Sequence, residues 1–173
     1  DLCGHATLAT AHVLFAHLGF ADDTIVFHTR SGELTVARGE AGRLVMNFPA
    51  RPVKPMADPK VLGPILGVAP RMVLTGANMI AVFDSAADVA RLTPAFGPLA
   101  EYLKPRNQVL IATASGDEGS GFDFVTRVFA SAHGIDEDHV TGSAYCDATP
   151  FWARKLKKDV MVARQMSPRG GTV

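Results

Sequence analysis

The sequence predicts an α+β fold made of two similar halves, and three observations lead to it. Two largely apolar runs follow polar, glycine-containing steps and read as helices, Gly4 to Leu18 and Gly142 to Lys157. Runs rich in β-branched and aromatic residues, bounded by Gly and Pro, read as strands. The third observation is a repeat. Shifting the first segment by 138 positions sets Gly4 on Gly142, His5 on Ser143, Ala6 on Ala144, Leu18 on Leu156 and Gly32 on Gly170 without a gap. Helix, strand, glycine turn and strand return with one spacing, as expected if each half threads a buried helix.

In chain order, the apolar residues of 4–18 lie nearly all round the helix, which argues for burial, and Gly19 ends it. Thr24–Thr29 and Glu33–Arg38 read as paired strands about the turn Arg30-Ser31-Gly32, and Arg43–Phe48 as a third strand after a turn at Gly39–Gly42. Pro49, Pro52 and Pro55 mark a linker, so the division expected is 1–50 and 51–173. Asp58 and Pro59 read as an N-cap and first residue of a short helix to Gly67. Strands follow at Arg71–Thr75 and Met79–Phe83, and helices at Ser85–Leu92 and Pro94–Leu103. Asn107–Ala114 and Phe122–Ala130 are strands joined by the Gly-rich loop Ser115–Gly121. The second apolar helix is expected to kink at Pro150, and a strand at Asp159–Met166 and a turn at Arg169-Gly170-Gly171 follow it. The repeat also implies further strands before residue 1 and after residue 173, so both ends read as clipped, with sheet edges prone to pairing.

With 17 Lys+Arg against 17 Asp+Glu, no net charge draws the chain to nucleic acid or an acidic membrane. No apolar run reaches the roughly 18 residues of a membrane span. Two cysteines, Cys3 and Cys146, are too few for a disulfide framework and fit reduced thiols in a cytoplasmic protein. The basic cluster Arg154, Lys155, Lys157 and Lys158 reads as a solvated helix C-terminus. Metal-binding spacings such as His-Glu-x-x-His and paired Cys-x-x-Cys are missing, so a metal is not expected, and Gly116-x-x-Gly119-x-Gly121 is not the dinucleotide order, which weakens a Rossmann reading.

The chemistry concentrates at the two helix starts. First-turn amides have no partner in the helix, and the macrodipole favours an anion there. Cys3-Gly4-His5-Ala6-Thr7 and Asp138-His139-Val140-Thr141-Gly142-Ser143 both lead into such a start, with Gly4 and Gly142 letting a ligand approach the backbone. Ser143 adds a hydroxyl donor, and His5 can donate or shuttle a proton near neutral pH. Asp138 can orient His5 or carry a proton itself; plain helix capping is the competing account of Asp138 and Ser143. Cys3 reads as a small buried residue, His12 and His17 as incidental or satisfied core groups, and Phe15, Phe151 and Trp152 as core.

Cys3-Gly4-His5-Ala6-Thr7-Leu8-Ala9, then Glu137-Asp138-His139-Val140-Thr141-Gly142-Ser143-Ala144, then Gln165-Met166-Ser167-Pro168-Arg169-Gly170-Gly171 resemble the PhzF (phenazine biosynthesis-like) isomerase family, in order and spacing. The resemblance implies the diaminopimelate-epimerase-like fold, with two pseudo-symmetric halves that each bend a sheet around a central helix. It further implies a site at the cleft between halves, where a proton shifts within a small carboxylic acid without cofactor. His5, Asp138 and Ser143 carry over as catalytic, with Gly4 and Gly142 as substrate-binding. The family's catalytic Glu belongs to a segment before the Gly-His motif, so this stretch by itself is expected to be silent. His139 stands where Pro is common. Thr141 occupies the place of the second cysteine of the related epimerases, which argues against a two-thiol mechanism.

The function expected is therefore a cofactor-independent isomerase or epimerase using acid-base catalysis on a small carboxylate-bearing metabolite. Partners expected are that substrate and a second copy in a homodimer, with no nucleic acid and no membrane. One alternative is a catalytically silent ligand-binding or interaction protein of the same fold. A Ser143-His5-Asp138 hydrolase is weaker, because the Gly-x-Ser-x-Gly elbow is missing.

Overall fold

A computed structural model describes residues 3–56 and 59–173, and the chain divides into two units, residues 1–49 and 50–173. The N-cap role of Asp58 lies outside the described residues.

The first unit contains helix α1 (Gly4–Ala16) and strands β1 (Thr24–Thr29), β2 (Gly32–Arg38) and β3 (Leu44–Asn47). The strands form an antiparallel sheet in the order β1-β2-β3, with Thr29 opposite Gly32 at the hairpin. Gly32 takes a φ of 99°, a left-handed conformation that suits glycine at this turn. Ile25 and Val36 from the sheet pack on Ala11 and Phe15 of α1. Those two residues are the buried part of the helix; the rest of α1 is exposed or half-buried. Within this stretch of chain the sheet covers one face of α1, so the expected burial all round is not seen for it among the described residues. Cys3 is likewise exposed, against the expectation of a buried thiol.

The second unit is organised by a mixed sheet of eight strands. They are β4 (Lys54–Pro55), β5 (Met72–Thr75), β6 (Met79–Val82), β7 (Leu110–Ser115), β8 (Phe124–Ala130), β9 (Ile135–Asp138), β10 (Ala163–Gln165) and β11 (Gly171–Thr172). The order is β11-β10-β8-β7-β6-β5-β4, with β9 also pairing with β8. The pairs β6-β7 and β8-β10 are parallel, and the others are antiparallel. Helices α2 (Leu62–Leu66), α3 (Ala86–Ala90) and α4 (Phe96–Leu103) join strands, and α5 (Tyr145–Leu156) follows a single 3-10 turn at Gly142–Ala144.

Alternation along the strands gives the sheet two apolar faces. Val73, Met79, Ala81, Leu110, Ala112 and Phe129 pack with residues of α2, α3 and α4. The opposite register, including Leu74, Ile80, Ile111, Phe124 and Val128, packs on Ala148 and Trp152 of α5. Trp152 is fully buried, stacks on Phe124 with ring centroids 5.6 Å apart, and donates Nε1–H to Thr113 Oγ1 at 2.9 Å. This helix meets the expectation of burial, because strands from several parts of the sheet converge on it.

The helix α5 runs on from Tyr145 to Leu156 with Pro150 inside it. A proline inside a helix leaves the carbonyl four residues earlier without its donor. That carbonyl belongs to Cys146, and it accepts a hydrogen bond from the Arg51 backbone N–H at 2.8 Å. The segment read as a bare linker thus supplies the missing donor, and it continues into the short edge strand β4. The strand expected over Asp159–Met166 is confined to Ala163–Gln165.

Candidate active site

The residues singled out fall in both units, and each group is described within its own. In the first unit, Cys3 is the N-cap of α1 and makes no side-chain cap. Among the described residues the first backbone amide of α1 with a partner is that of Thr7, which donates to the Cys3 carbonyl at 3.3 Å, and the Thr7 hydroxyl donates to the same oxygen at 2.9 Å. The preceding first-turn amides, including Gly4 and His5, lie before the helix's own ladder. His5 is exposed, and its Nε2 lies 3.6 Å from Cys3 Sγ. A Cβ on Gly4 would sit 2.7 Å from Cζ of the Phe48 ring, so a side chain here would have to displace that ring.

In the second unit, Asp138 ends β9 and is half-buried. Its Oδ1 accepts from the His139 amide at 2.8 Å, and its Oδ2 accepts from the Thr141 hydroxyl at 2.5 Å. The carboxylate is thus held by its own loop and caps no helix amide. Thr141 is the N-cap of the 3-10 turn, without a side-chain cap, and Gly142 and Ser143 are its first residues. Both are half-buried, and among the described residues their amides and the Ser143 hydroxyl form no hydrogen bond. Plain capping therefore does not account for Asp138 or Ser143. A carboxylate supported from behind stands within a few residues of two free amides and a free hydroxyl, an arrangement suited to holding an anion beside a proton carrier.

The supports of this loop come from a segment to which the residue-by-residue reading assigned no role. Gln165 of β10 is fully buried. Its Oε1 accepts from the Thr141 amide at 2.8 Å, while Nε2 donates to the Asp138 carbonyl at 2.9 Å and to Thr141 Oγ1 at 3.3 Å. Ser167 donates its hydroxyl to the His139 carbonyl at 2.6 Å and accepts from the Gly170 amide at 3.0 Å. Gly171 lies so close to Val140 that an added Cβ would sit 2.4 Å from Val140 Cγ2. Strand alternation carried a signal for Gln165: it shares the inward register with Ala163, a position where an amide must have a specific partner. Behind Asp138, Arg127 holds Glu137 through two charge-assisted bonds of 2.7 and 2.8 Å and donates to the carbonyls of Val89, Ala90 and Leu92.

The remaining candidates are structural. Cys146 is buried; burial pushes its thiol up, the Arg51 charge opposes this and Asp147 adds to it, so it is a poor thiolate nucleophile. Burial also raises the Tyr145 hydroxyl, which lies 3.1 Å from Thr126 Oγ1. His12 and His17 are exposed and meet edge to face at 5.7 Å. Arg169 is exposed. A groove of about 390 Å³ between Val53, Pro55, Met72, Phe151 and Arg154 includes none of the candidate residues. Among the described residues no cluster of His, Cys, Asp or Glu could hold a metal, and no helix is long and apolar enough to cross a membrane.

Comparison with known proteins puts this geometry in context. The chain is 42% identical over 171 residues to an uncharacterized isomerase of Pseudomonas aeruginosa, covering 99% of this chain and 63% of that protein. It is 34% identical over 186 residues to the human phenazine biosynthesis-like domain-containing protein, covering 98% and 64%. The chain thus spans just under two thirds of the length of these relatives. A crystal structure of a PhzF-family protein from Enterococcus faecalis superposes with a TM-score of 0.86 at 36% identity, over 99% of this chain and 64% of that one. A predicted epimerase of Pseudomonas aeruginosa, at 16% identity and a TM-score of 0.65 over 99% and 65%, shares the fold. The model of the family described as phenazine biosynthesis-like protein (PhzC-PhzF) matches residues 1–173, and the chain belongs to that family.

Proposed function

We propose that the protein carrying this chain is a cofactor-independent isomerase or epimerase that moves a proton on a small carboxylate-bearing metabolite. The observation that carries the reading is the Asp138 carboxylate, held by the His139 amide and the Thr141 hydroxyl, next to the unbonded amides and hydroxyl of Gly142 and Ser143. The relatives named as isomerases support it.

In this reading the Gly142 and Ser143 amides and the Ser143 hydroxyl hold an oxyanion or carboxylate of the substrate. Negative charge that develops when a proton leaves carbon is stabilised there. Asp138, which keeps lone pairs beyond the two donors already bound, takes or returns a proton. His5, exposed at the start of α1 in the first unit, is a further side chain of a type that can carry a proton.

The test is incorporation of solvent deuterium into carbon. The full-length protein is incubated in D₂O with a panel of small hydroxy, amino and cyclic carboxylic acids and the products are read by NMR. Deuterium is expected at one carbon of at least one acid. D138N and H5N should each slow its entry by roughly a hundredfold or more, as for loss of a positioned acid or base, and S143A by less. No incorporation on any acid, beside a working isomerase control, would overturn the proposal; labelling of Ser143 by a fluorophosphonate would redirect it to a hydrolase.

A further inference from the structure

Among the described residues the hydrogen bonds to the Asp138 carboxyl come from its own loop, and that loop is held from β10. The Thr141 hydroxyl has one proton. It is given to Asp138 Oδ2, and the same oxygen accepts Nε2–H of Gln165. The donor from Gln165 occupies the hydroxyl's acceptor side, which leaves its proton directed at the carboxylate. Gln165 also closes the backbone on both sides, taking the Thr141 amide and giving to the Asp138 carbonyl. Fully buried, it spends three of its hydrogen-bonding positions on a loop of four residues.

We infer that Thr141 and Gln165 are positioning residues, a relay through which the buried amide of β10 sets where the Asp138 carboxylate stands. The inference rests on the proposed proton-carrying role of Asp138, but the geometry it asserts does not depend on turnover. A hydroxyl at 141 is what the relay needs. The methyl group of threonine is dispensable, and valine, which matches threonine in shape, is not a substitute. The amide at 165 acts through Thr141 and touches no side-chain atom of Asp138.

Crystal structures of the full-length protein as T141V, T141S and Q165M, with parallel kinetics on any acid that exchanges deuterium, test this. In T141V and Q165M the Asp138 carboxyl is expected to leave its place, as a rotated or split conformer, by more than the ~0.5 Å a working site tolerates. T141S is expected to keep it. Where turnover is measurable, T141V should lose roughly a hundredfold in kcat, the scale of a misplaced group, with KM nearly unchanged and with T141S restoring the rate. An Asp138 carboxyl that stays in place in T141V overturns the inference, whether or not any acid turns over and whether or not Q165M folds. A carboxyl that moves, in a protein that exchanges deuterium on nothing, would support the relay and count against the isomerase reading alone.

Discussion

Asp147 sits in the first turn of α5 with no exposed surface, and its Oδ1 has no partner among the described residues. Burial raises its carboxyl above the ordinary 3.8, while the hydrogen bond from Asn78 at 2.8 Å and the Arg51 guanidinium at 4.0 Å act in the opposite sense without cancelling it. A raised acid binds more protons folded than unfolded. Its contribution to stability is therefore undiminished below about pH 3.8, the unfolded value, and is lost as pH rises through the folded pKa. Asp147→Asn keeps the shape and the capacity to accept from Asn78 but cannot ionise. Urea unfolding of the full-length protein at acid and neutral pH should show the variant gaining on the parent as pH rises. A stability difference that is flat in pH would mean that the carboxyl is not raised.

At the scale of elements, the continuity of α5 through Pro150 depends on the Arg51 N–H that serves the Cys146 carbonyl. Replacing Arg51 by proline removes that donor and leaves a buried acceptor unpaired, at a cost of about 1–3 kcal/mol. Pro150→Ala returns the helix's own amide. In the double variant R51P/P150A the penalty of R51P should therefore shrink, and a denaturation cycle reads this as a positive coupling. Independent penalties in the two single variants would remove the account. The pairing of β9 with β8 is a second long-range dependence, because Arg127 on β8 neutralises Glu137 and is itself only 12% exposed, like its partner. R127M leaves Glu137 half-buried without its cation and strips three carbonyls at the end of α3 of their donor. Loss of about 3–5 kcal/mol is expected from denaturant unfolding, as for a broken buried pair, and a loss under 1 kcal/mol would show that the pair is solvent-screened after all.

Across the whole molecule, the elements legible in the sequence are those whose signals are local. Strand β1 was expected and is found at Thr24–Thr29, bounded by a polar step and a turn. The helix beginning at Ser85 is legible because Ser85 accepts from the Asp88 amide at 3.1 Å, a cap visible in four residues. The Gly19 and Gly170 breaks take left-handed φ values of 65°. The order α5-β10-β11 is helix, strand, strand, as is α1-β1-β2. Strand β9 was not legible: Ile135-Asp136-Glu137-Asp138 is acidic and short, and it becomes a strand only because β8 offers both a ladder and Arg127. The candidate site was half legible. Asp138, Gly142 and Ser143 were found from the polar step into a helix, whereas Gln165 and Ser167 act across 24 to 28 positions of chain, a separation no local pattern reports.

The sequence by itself determined where helices and most strands begin, because backbone propensity, capping and side-chain alternation act over a few neighbours. Tertiary structure alone decided that α5 packs its apolar side on the sheet, that a linker amide repairs the gap at Pro150, and that Asp138 is held by its own loop instead of capping a helix. Each of these turns on a donor, an acceptor or an apolar face supplied from far along the chain, and such partners meet only when the strands between them have paired.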